Sequence, residues 1–315
     1  MKMSPPEMEI ADILNGESRR QFRMSLKLQA ISYKLLIAYC LKLTAYYSEN
    51  PTMTDLAHQI EEVAGIVAEA ELVLVFTGAG VSTESGIPDF RGPDGIWQKV
   101  DPEDFSIERF MYDEEVRKMQ WRLLSSGDLS MSKVQPNPAH YAITELENMQ
   151  KLYGVVTQNV DGLHQKAGVS LELIFQLHGD LSHAICLGCG RRYPMEMIAE
   201  WLKQGMEDPA CHLCMGMLKP DAVLFGEQLP IKVLMEAERR SRKCDVCIVL
   251  GSTLSVYPAN LIPQYAVQAG AKLVIINLGP TELDHLAHIR IEGKAGDITP
   301  KIIRYAKLDL DERDD

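Results

Sequence analysis

Short apolar runs alternate with helix-like segments along most of the chain after residue 53. Four of these runs lack the alternation of polar and apolar positions that a half-exposed strand would show. They are LVLVF (72–76), YGVVT (153–157), DVCIVL (245–250) and KLVIIN (272–277). Such runs are typical of parallel strands that helices cover on both faces. From Leu56 to Ala68, by contrast, apolar residues recur at helical spacing. The pattern predicts an α/β protein built on a parallel sheet.

Each predicted strand runs directly into small or polar residues. The four strand ends are Gly78-Ala79-Gly80, Gln158-Asn159-Val160-Asp161-Gly162, Gly251-Ser252-Thr253 and Asn277-Leu278-Gly279. Any one of them alone is compatible with an ordinary turn. In open α/β sheets, however, ligands bind beyond the carboxyl ends of the strands. Four such ends together predict the rim of one nucleotide-binding pocket.

The stretch VFTGAGVSTESGIPDFRGPDGIW, residues 75–97, begins like a dinucleotide-binding turn and then departs from one. In that turn a third glycine stands three residues after the second and leads into a helix. Here that position is Thr83, and Pro88 and Pro93 discourage a long helix. The glycine pair indicates a nucleotide, and the residues after it argue against an ordinary dehydrogenase.

Four of the cysteines form two C-x-x-C pairs. They are Cys186 with Cys189 and Cys211 with Cys214, with 21 residues between the pairs. Two such knuckles turn four thiolates toward one point, as in structural zinc sites with closed tetrahedral coordination. The alternative is four unrelated buried thiols. A further pair, Cys244 and Cys247, lies at the start of an apolar strand, where residues three apart point to opposite faces, and is predicted to be core.

Composition narrows the class of protein and its surroundings. The 315 residues are 46% hydrophobic and 24% charged, enough for a sizeable core. A formal net charge of -12 argues against nucleic acid as a partner and favours a basic peptide. No stretch is uncharged for long enough to span a bilayer. Seven cysteines, four of them in the paired knuckles, suit a reducing compartment, and we expect a cytoplasmic protein.

The first part of the chain differs in composition from the rest. Up to Asn50-Pro51, basic residues lie among apolar ones, and acidic, regularly patterned sequence follows. We predict that residues 1–52 are an extension, disordered or helical, or the product of a mis-assigned start upstream of Met53, and that they are dispensable for catalysis. The alternative is a helix over 26–47 that packs on the remainder of the chain. The remaining residues, 53–315, then form the functional part of the chain.

A single histidine stands out in the stretch FQLHGDLSH. His178 ends another apolar run and comes shortly before the first cysteine pair. A lone histidine is more often a hydrogen-bonded structural residue than a catalytic one. Asp180 is close enough along the chain to orient its ring.

Five successive motifs of the chain resemble those of the sirtuin family. They are GAGVSTESGIPDFRGPDGIW, TQNVDGLH, QLHGD, the two C-x-x-C pairs and VLFGEQLP, and the match extends from about residue 62 to 305. The resemblance implies a Rossmann-like doubly wound parallel sheet with a small zinc-binding domain inserted. The implied large domain covers 53–180 and 220–308, the zinc-binding module about 181–219, and a mobile cofactor-binding loop 81–100. Acetyl-lysine peptide and NAD would enter the cleft between the two domains from opposite sides.

The resemblance also implies which residues bind NAD and carry out the reaction. His178 would act as general base toward a ribose hydroxyl, with Asn159 and Asp161 as further catalytic residues at the nicotinamide pocket. The implied contacts to NAD are Gly78, Ala79, Gly80, Ser82, Asp89, Phe90, Arg91, Trp97, Gln158, Asn159, Val160, Asp161, Gly251, Ser252, Thr253, Asn277, Leu278, Gly279 and Ile298.

Metal and substrate contacts follow from the same resemblance. One structural zinc ion would be held by Cys186, Cys189, Cys211 and Cys214. An acetylated protein or peptide would add as a strand against VLFGE (223–227) and the segment after Gly251. Its contacts would be Val223, Phe225, Gly226 and Glu227, with Val223 and Phe225 at the lysine tunnel. The pattern alone also allows an ordinary edge strand at this place.

The implied reaction is NAD-dependent removal of acetyl groups from protein lysine side chains, giving nicotinamide, O-acetyl-ADP-ribose and deacetylated protein. Two alternatives use the same pocket, namely mono-ADP-ribosyl transfer to protein and a non-catalytic sensor of NAD or ADP-ribose. A sensor needs no general base, so His178 weighs against it. No Tyr-x-x-Arg pair follows Trp97, where desuccinylases of the family carry one, so acidic acyl groups are disfavoured.

Overall fold

The computed structural model describes residues 51–92, 95–125 and 134–314. The chain divides into two compact units, 1–58 and 59–315, and the second contains both β-sheets. The predicted extension, except for residues 51 and 52, and its alternative helix over 26–47 lie outside the described residues. In the part of the chain that is described, no helix is both long and apolar enough to cross a membrane.

Nine helices and nine strands build the described part of the chain, with short 3-10 helices between them, the longest over Ala79–Ser85. The helices are α1 (Pro51–Glu69), α2 (Ile107–Tyr112), α3 (Glu114–Ser125), α4 (Pro138–Asn148), α5 (Leu163–Ala167), α6 (Met195–Lys203), α7 (Ile231–Ser241), α8 (Leu261–Gln268) and α9 (Ala295–Asp314). The strands are β1 (Val73–Thr77), β2 (Leu152–Thr157), β3 (Ile174–Gln176), β4 (Gly179–Cys186), β5 (Arg192–Pro194), β6 (Leu218–Ala222), β7 (Val246–Leu250), β8 (Lys272–Asn277) and β9 (Ile289–Glu292).

The larger sheet is parallel throughout and has the strand order β3-β2-β1-β7-β8-β9. The four strands predicted from apolar runs are present as β1, β2, β7 and β8. Every residue of β1 and β7 is buried, which explains why these strands show no alternation. The strand order reverses between β1 and β7, the kind of point at which doubly wound sheets bind ligands. The predicted fold class is confirmed.

Strand register brings the carboxyl ends of the central strands to one level. Thr77 at the end of β1 pairs with Thr157 of β2 on one side and with Leu250 of β7 on the other. Leu250 in turn pairs with Ile276 of β8. The four small or polar segments that follow these residues therefore meet along one edge of the sheet.

Helices cover both faces of this sheet. On one face, α7 and α8 pack on alternate strand residues in a cluster that includes Phe76, Val249 and Ile275. The intervening strand residues are also buried, and α4 and α9, which pack on each other, contact β2 and β8. Cys244 and Cys247 are both core residues, as predicted. They share one core instead of facing opposite sides of a strand, because Cys244 lies before β7 begins.

After His178 the chain leaves the parallel sheet and forms a second, antiparallel one with the order β5-β4-β6. Its separate core consists of buried side chains from β4, β5, α6 and β6 and contains two of the paired cysteines, Cys186 and Cys211. Trp121 of α3 is fully buried in the same core. This small module is thus assembled from residues 179–222 and from α3, a segment more than fifty residues earlier in the chain.

The turns after β1 and β7 are packed backbone to backbone. Gly80 N donates to Gly251 O over 2.8 Å, and Gly251 has a φ of 60°. A Cβ on Gly251 would lie 2.2 Å from Val81 N, and one on Gly78 would lie 2.8 Å from Gly251 O. These glycines therefore allow two strand ends to approach each other closely at the edge where the site lies.

Gly251→Ala is expected to lower the free energy of unfolding by about 3 kcal/mol, because left-handed strain of about 1–2 kcal/mol adds to the separation of two packed turns. Gly270→Ala is the matched control, since Gly270 has a φ of 99° but nothing within 4 Å of an added Cβ. Urea unfolding of both variants measures the difference. Equal losses of unfolding free energy in the two variants would mean that the close approach of the turns does not add to the cost of the Gly251→Ala substitution.

Candidate active site

A cleft of ≈ 1030 Å³ opens at the carboxyl edge of the parallel sheet, between this edge and the small module. Each of the four predicted strand ends contributes residues to its wall, and so does the segment between Ala79 and Trp97. The predicted site residues in the wall are Ala79, Gly80, Ser82, Asp89, Phe90, Arg91, Trp97, Gln158, Asn159, Val160, Asp161, His178, Val223, Phe225, Gly226, Glu227, Gly251, Ser252, Thr253, Asn277 and Leu278.

Buried polar side chains at the end of β2 are tied to the turn after β1. Ser82 Oγ donates to Asp161 Oδ2 over 2.7 Å, and Asn159 Nδ2 lies 3.1 Å from Gly78 O and 3.2 Å from Ser82 Oγ. Asp161 Oδ1 accepts the backbone N–H of Leu163 at 2.9 Å. Both predicted catalytic partners of the histidine are thus held rigidly at the cleft wall, with carboxylate lone pairs still available to a ligand.

A buried hydrogen-bond chain supports this loop from behind. Thr157 Oγ1 accepts the Asn159 backbone N–H at 3.0 Å and the Thr77 hydroxyl at 2.8 Å. The Thr77 oxygen lies 3.0 Å from His164 Nε2, which therefore carries the proton and donates. Burial lowers the pKa of His164 to about 3, so this ring stays neutral and its hydrogen-bond pattern is fixed.

One buried donor in the cleft wall is left for a ligand. Ser252 Oγ donates to Gln158 Oε1 over 2.9 Å, which fixes the orientation of the amide. Gln158 Nε2 is buried and has no hydrogen-bond partner among the described residues. An orphaned amide at the point where the strand order reverses fits a ligand with hydroxyl or carboxamide oxygens, such as NAD.

The backbone defines the protonation of the candidate base. His178 Nδ1 lies 2.9 Å from Gln158 O, and a carbonyl can only accept, so Nδ1 carries the proton and Nε2 has a free lone pair. Burial lowers the pKa of His178 below its ordinary value, and the Gln158 carbonyl opposes this only in part. Near neutral pH the imidazole is therefore a neutral base at the cleft wall.

The suggestion that Asp180 orients this histidine is wrong. Asp180 Oδ1 accepts the backbone N–H of Ser182 at 2.8 Å as well as the Ser182 hydroxyl, and Asp180 Oδ2 lies 3.7 Å from Arg192. The carboxylate is thus engaged within its own turn. The backbone carbonyl of Gln158 orients His178 instead.

Activity is expected to depend on pH through His178. The active form of a general base is the neutral one, and the pKa of His178 lies below 6.5. Activity should therefore be present above this pKa and fall as the pH is lowered through it, about tenfold per pH unit at the acid limit. The pH profile of kcat/KM with an acetylated peptide measures this. A midpoint above pH 7, or an increase of activity on acidification, would contradict a neutral buried base.

Aromatic rings connect the segment after β1 to the opposite wall. The Trp97 ring centroid lies 5.1 Å from that of Phe90, 5.2 Å from that of Phe105 and 6.0 Å from that of Phe225. Phe90 and Trp97 belong to the predicted cofactor-binding loop, and Phe225 to the predicted peptide-binding segment. The two predicted subsites therefore share one aromatic cluster.

The predicted peptide-binding segment is partly engaged by its own chain. Phe225 N donates to Phe105 O, and Phe225 O accepts from Ile107 N, both over 2.9 Å. Val223 N donates to His178 O at the same distance. Among the described residues, the Val223 carbonyl and the Gly226 N–H have no partner. An added peptide strand would therefore pair through these two groups and not through the backbone of Phe225.

Three predicted cofactor residues lie outside the wall within the described part of the chain, namely Gly78, Gly279 and Ile298. Ile298 is buried, and its side chain fills the space where a Cβ on Gly293 would stand. Lys294 and Ala295 line the cleft in its place. They follow β9, whose carboxyl end is a fifth strand end at the same edge. The sequence analysis missed this strand end because β9, with the sequence IRIE, is short and contains charged residues, unlike a buried strand. Gly293, Ala295 and Gly296 around Lys294 were the signal that could have indicated it.

The four paired cysteines come together as predicted. Their Sγ atoms lie within 4.8 Å of one another, with 3.5 Å between Cys186 and Cys214 and 3.7 Å between Cys189 and Cys211. Zn–S bonds of about 2.3 Å in a tetrahedron require sulfur atoms about 3.8 Å apart. The donor set and its spacing fit one structural zinc ion. Its coordination is complete with four thiolates, so His212, which stacks on Trp201 at 4.1 Å, is not needed as a ligand.

Comparison with known proteins gives a consistent result. The Sir2 family matches residues 78–258. NAD-dependent protein deacetylase 1 of Pyrobaculum aerophilum is 45% identical over 246 residues, which cover 78% of this chain and 94% of that protein. NAD-dependent protein deacylase 2 of Archaeoglobus fulgidus is 43% identical over 254 residues, 79% of this chain and 96% of that protein.

Solved structures show the same similarity. A Sir2 structure described as containing a deacetylated p53 peptide and 3'-O-acetyl-ADP-ribose superposes with a TM-score of 0.73 and 36% identity. The superposition covers 78% of this chain and 97% of that one.

Proposed function

The chain belongs to the Sir2 family, and on that premise we propose how its cleft carries out the NAD-dependent removal of acetyl groups from protein lysine side chains. The products of the reaction are nicotinamide, O-acetyl-ADP-ribose and deacetylated protein. The observation that carries the assignment of roles is the neutral His178, whose free Nε2 stands in the same cleft as the orphaned Gln158 amide.

NAD fits the part of the cleft that the parallel sheet forms. The wall there combines the glycine turns after β1 and β7, the Gln158 amide and the residues after β8 and β9. The Ser82, Asn159 and Asp161 network provides fixed polar groups for the nicotinamide and its ribose. When bound, NAD supplies an activated ribose that receives the acetyl group as nicotinamide leaves.

His178 acts as the general base of this site. Its Nε2 takes the proton of a ribose hydroxyl, which makes that oxygen nucleophilic toward the acetyl carbon. The carbonyl of Gln158 holds Nδ1–H throughout and stabilises the imidazolium that forms. Phe90 and Trp97 line the same cleft and contact each other, and in this proposal they exclude water that would compete for the activated ribose.

The acetylated peptide lies against residues 223–227. Its main chain pairs with the Val223 carbonyl and the Gly226 N–H, and Phe225 presents an exposed aromatic face to the lysine stem. The wall that α3 contributes carries no charge, with Gln120, Leu123 and Leu124. We therefore expect acetyl and other neutral acyl groups to be accepted and acidic ones to be disfavoured.

The predicted division into domains and the predicted location are part of this proposal. Separate buried cores support a large domain, 53–180 and 220–308, and a zinc-binding module around 181–219, to which α3 contributes Trp121. The zinc ion has a structural role in that module, and with four thiolate ligands it does not act as a Lewis acid in the reaction. None of the six described cysteines forms a disulfide, which supports a reducing, cytoplasmic environment.

The fate of NAD labelled in its adenylate part tests this function against its alternatives. Purified protein is incubated with an acetylated peptide and labelled NAD, and the products are separated by mass. Label in O-acetyl-ADP-ribose, equimolar with deacetylated peptide, is the expected result. Label on protein or peptide would indicate ADP-ribosyl transfer, and binding of NAD without turnover would indicate a sensor.

A further inference from the structure

Lys219 of β6 is a charged side chain that the protein buries. It is only 5% exposed, although lysine is seldom buried without partners. Its Nζ donates to Ala222 O at 2.6 Å and Pro220 O at 3.0 Å and pairs with Glu227 Oε2 at 3.0 Å. The ammonium group thus uses its three donors on the stretch that leads from β6 into the predicted peptide-binding segment.

Glu227 links Lys219 to the backbone of the predicted peptide-binding segment. The carboxylate oxygen that meets Lys219 also accepts the backbone N–H of Leu224 at 2.7 Å. The backbone N–H of Glu227 donates to Leu224 O at 3.1 Å. Two hydrogen bonds between Leu224 and Glu227 therefore close the turn from 224 to 227, and the ion pair with Lys219 fixes the Glu227 side chain that makes one of them.

The residues of this turn, together with Val223 just before it, face the cleft. Val223, Phe225 and Gly226 all line it, and the two backbone groups left for a peptide belong to Val223 and Gly226. Glu227 also lies at the wall, but its side chain is directed to Lys219 and to the Leu224 N–H. Its contribution to the substrate site is thus to fix the shape of the turn.

We propose that Lys219 is a positioning residue for the acyl-lysine substrate, acting through Glu227 on the backbone groups of Val223 and Gly226. The inference rests on the peptide site proposed above. Loss of one partner of a buried ion pair leaves the other charge uncompensated and releases the geometry that the pair maintained. Displacement of binding groups by even about 1 Å can lower the efficiency of an enzyme about a hundredfold.

Lys219→Met tests the proposal by binding and by kinetics. We expect the Kd of an acetylated peptide, measured by calorimetry without NAD, and its KM to rise about tenfold or more, because the pairing groups are no longer held in place. The Kd of NAD should change less than about twofold, because the NAD subsite is formed by other elements. Lys219→Arg keeps the charge and should bind the peptide more tightly than Lys219→Met does, although its larger planar guanidinium does not reproduce the three contacts of the ammonium group.

Lys203→Met is the matched control, since Lys203 is an exposed lysine of the small module. Zinc content and the thermal midpoint are measured for every variant. An unchanged peptide Kd in a folded, zinc-containing Lys219→Met protein would overturn the proposal, and so would a parallel loss of peptide and NAD affinity. Failure of the wild-type protein to bind peptide or consume NAD would instead refute the proposed function.

Glu227→Gln decides the question if Lys219→Met does not fold. This variant keeps the size of the side chain and removes the charge that meets Lys219. The expected result is again a rise of about tenfold in the peptide Kd with little change for NAD. A peptide Kd equal to that of the wild type would overturn the proposal.

Discussion

Replacement of His178 with alanine is expected to lower the rate of deacetylation at saturating substrates by about 10²–10⁴-fold, the usual contribution of a general base. Within the described residues the ring makes one hydrogen bond, to the backbone carbonyl of Gln158, so its removal leaves the polar network of Ser82, Asn159 and Asp161 in place. Binding of NAD and peptide should therefore remain close to that of the wild type. Steady-state kinetics together with calorimetry measures both quantities.

His285→Ala is the control for this experiment, because His285 is exposed and lies outside the cleft wall among the described residues. Its turnover should equal that of the wild type. If His178→Ala kept full turnover, the ring would be a structural residue. If it lost NAD binding as strongly as turnover, the ring would serve the cofactor site and not the proton transfer.

Cys186→Ala is expected to release the zinc ion and to lower the free energy of unfolding by about 3 kcal/mol or more, because structural zinc contributes directly to folding. The effect should concentrate on the small module, whose core includes Cys186 and Cys211. Metal analysis of the purified protein and a thermal scan measure the two consequences. Activity should fall as well, since this module carries β6 and hence one wall of the cleft.

Cys247→Ala provides the comparison for the zinc site. Cys247 is buried in the core of the large sheet and does not belong to the four-cysteine cluster. This variant should lose some stability through its cavity but retain one zinc ion per chain. A wild-type protein without zinc would contradict the assignment of the four thiolates, and so would a Cys186→Ala protein that still binds zinc as tightly as the wild type.

Local patterns in the sequence were sufficient to predict the parallel sheet and the cluster of four cysteines. A buried parallel strand such as β7 is apolar at every position, and the run of five residues is visible without knowledge of its neighbours. The spacing within each C-x-x-C pair is likewise a local property of a knuckle. The strand ends followed from the same runs, and 11 of their residues line the cleft. Most of the other predicted positions in the wall, such as Asp89 and Phe225, were implied only by the resemblance to the sirtuin family.

Contacts between distant segments were not predictable in this way. The partner of His178 is a backbone carbonyl, which has no signature in the sequence, so the nearby Asp180 was preferred. The core of the small module takes Trp121 from a helix that precedes it by many residues. The resemblance points to Ile298, whereas Lys294 and Ala295 line the cleft; the Ile298 side chain is buried beside Gly293, a contact that the sequence does not reveal.

In the proposed mechanism, the cleft binds NAD and acyl-lysine without help from His178, and the neutral His178 acts only after nicotinamide has left. Exchange of labelled nicotinamide into NAD, measured with acetylated peptide in wild-type and His178→Ala proteins, tests this most directly. We predict that exchange by the variant stays within about tenfold of the wild type while deacetylation falls at least about a hundredfold. Loss of exchange and deacetylation in equal proportion, or deacetylation without release of nicotinamide, would contradict the claim.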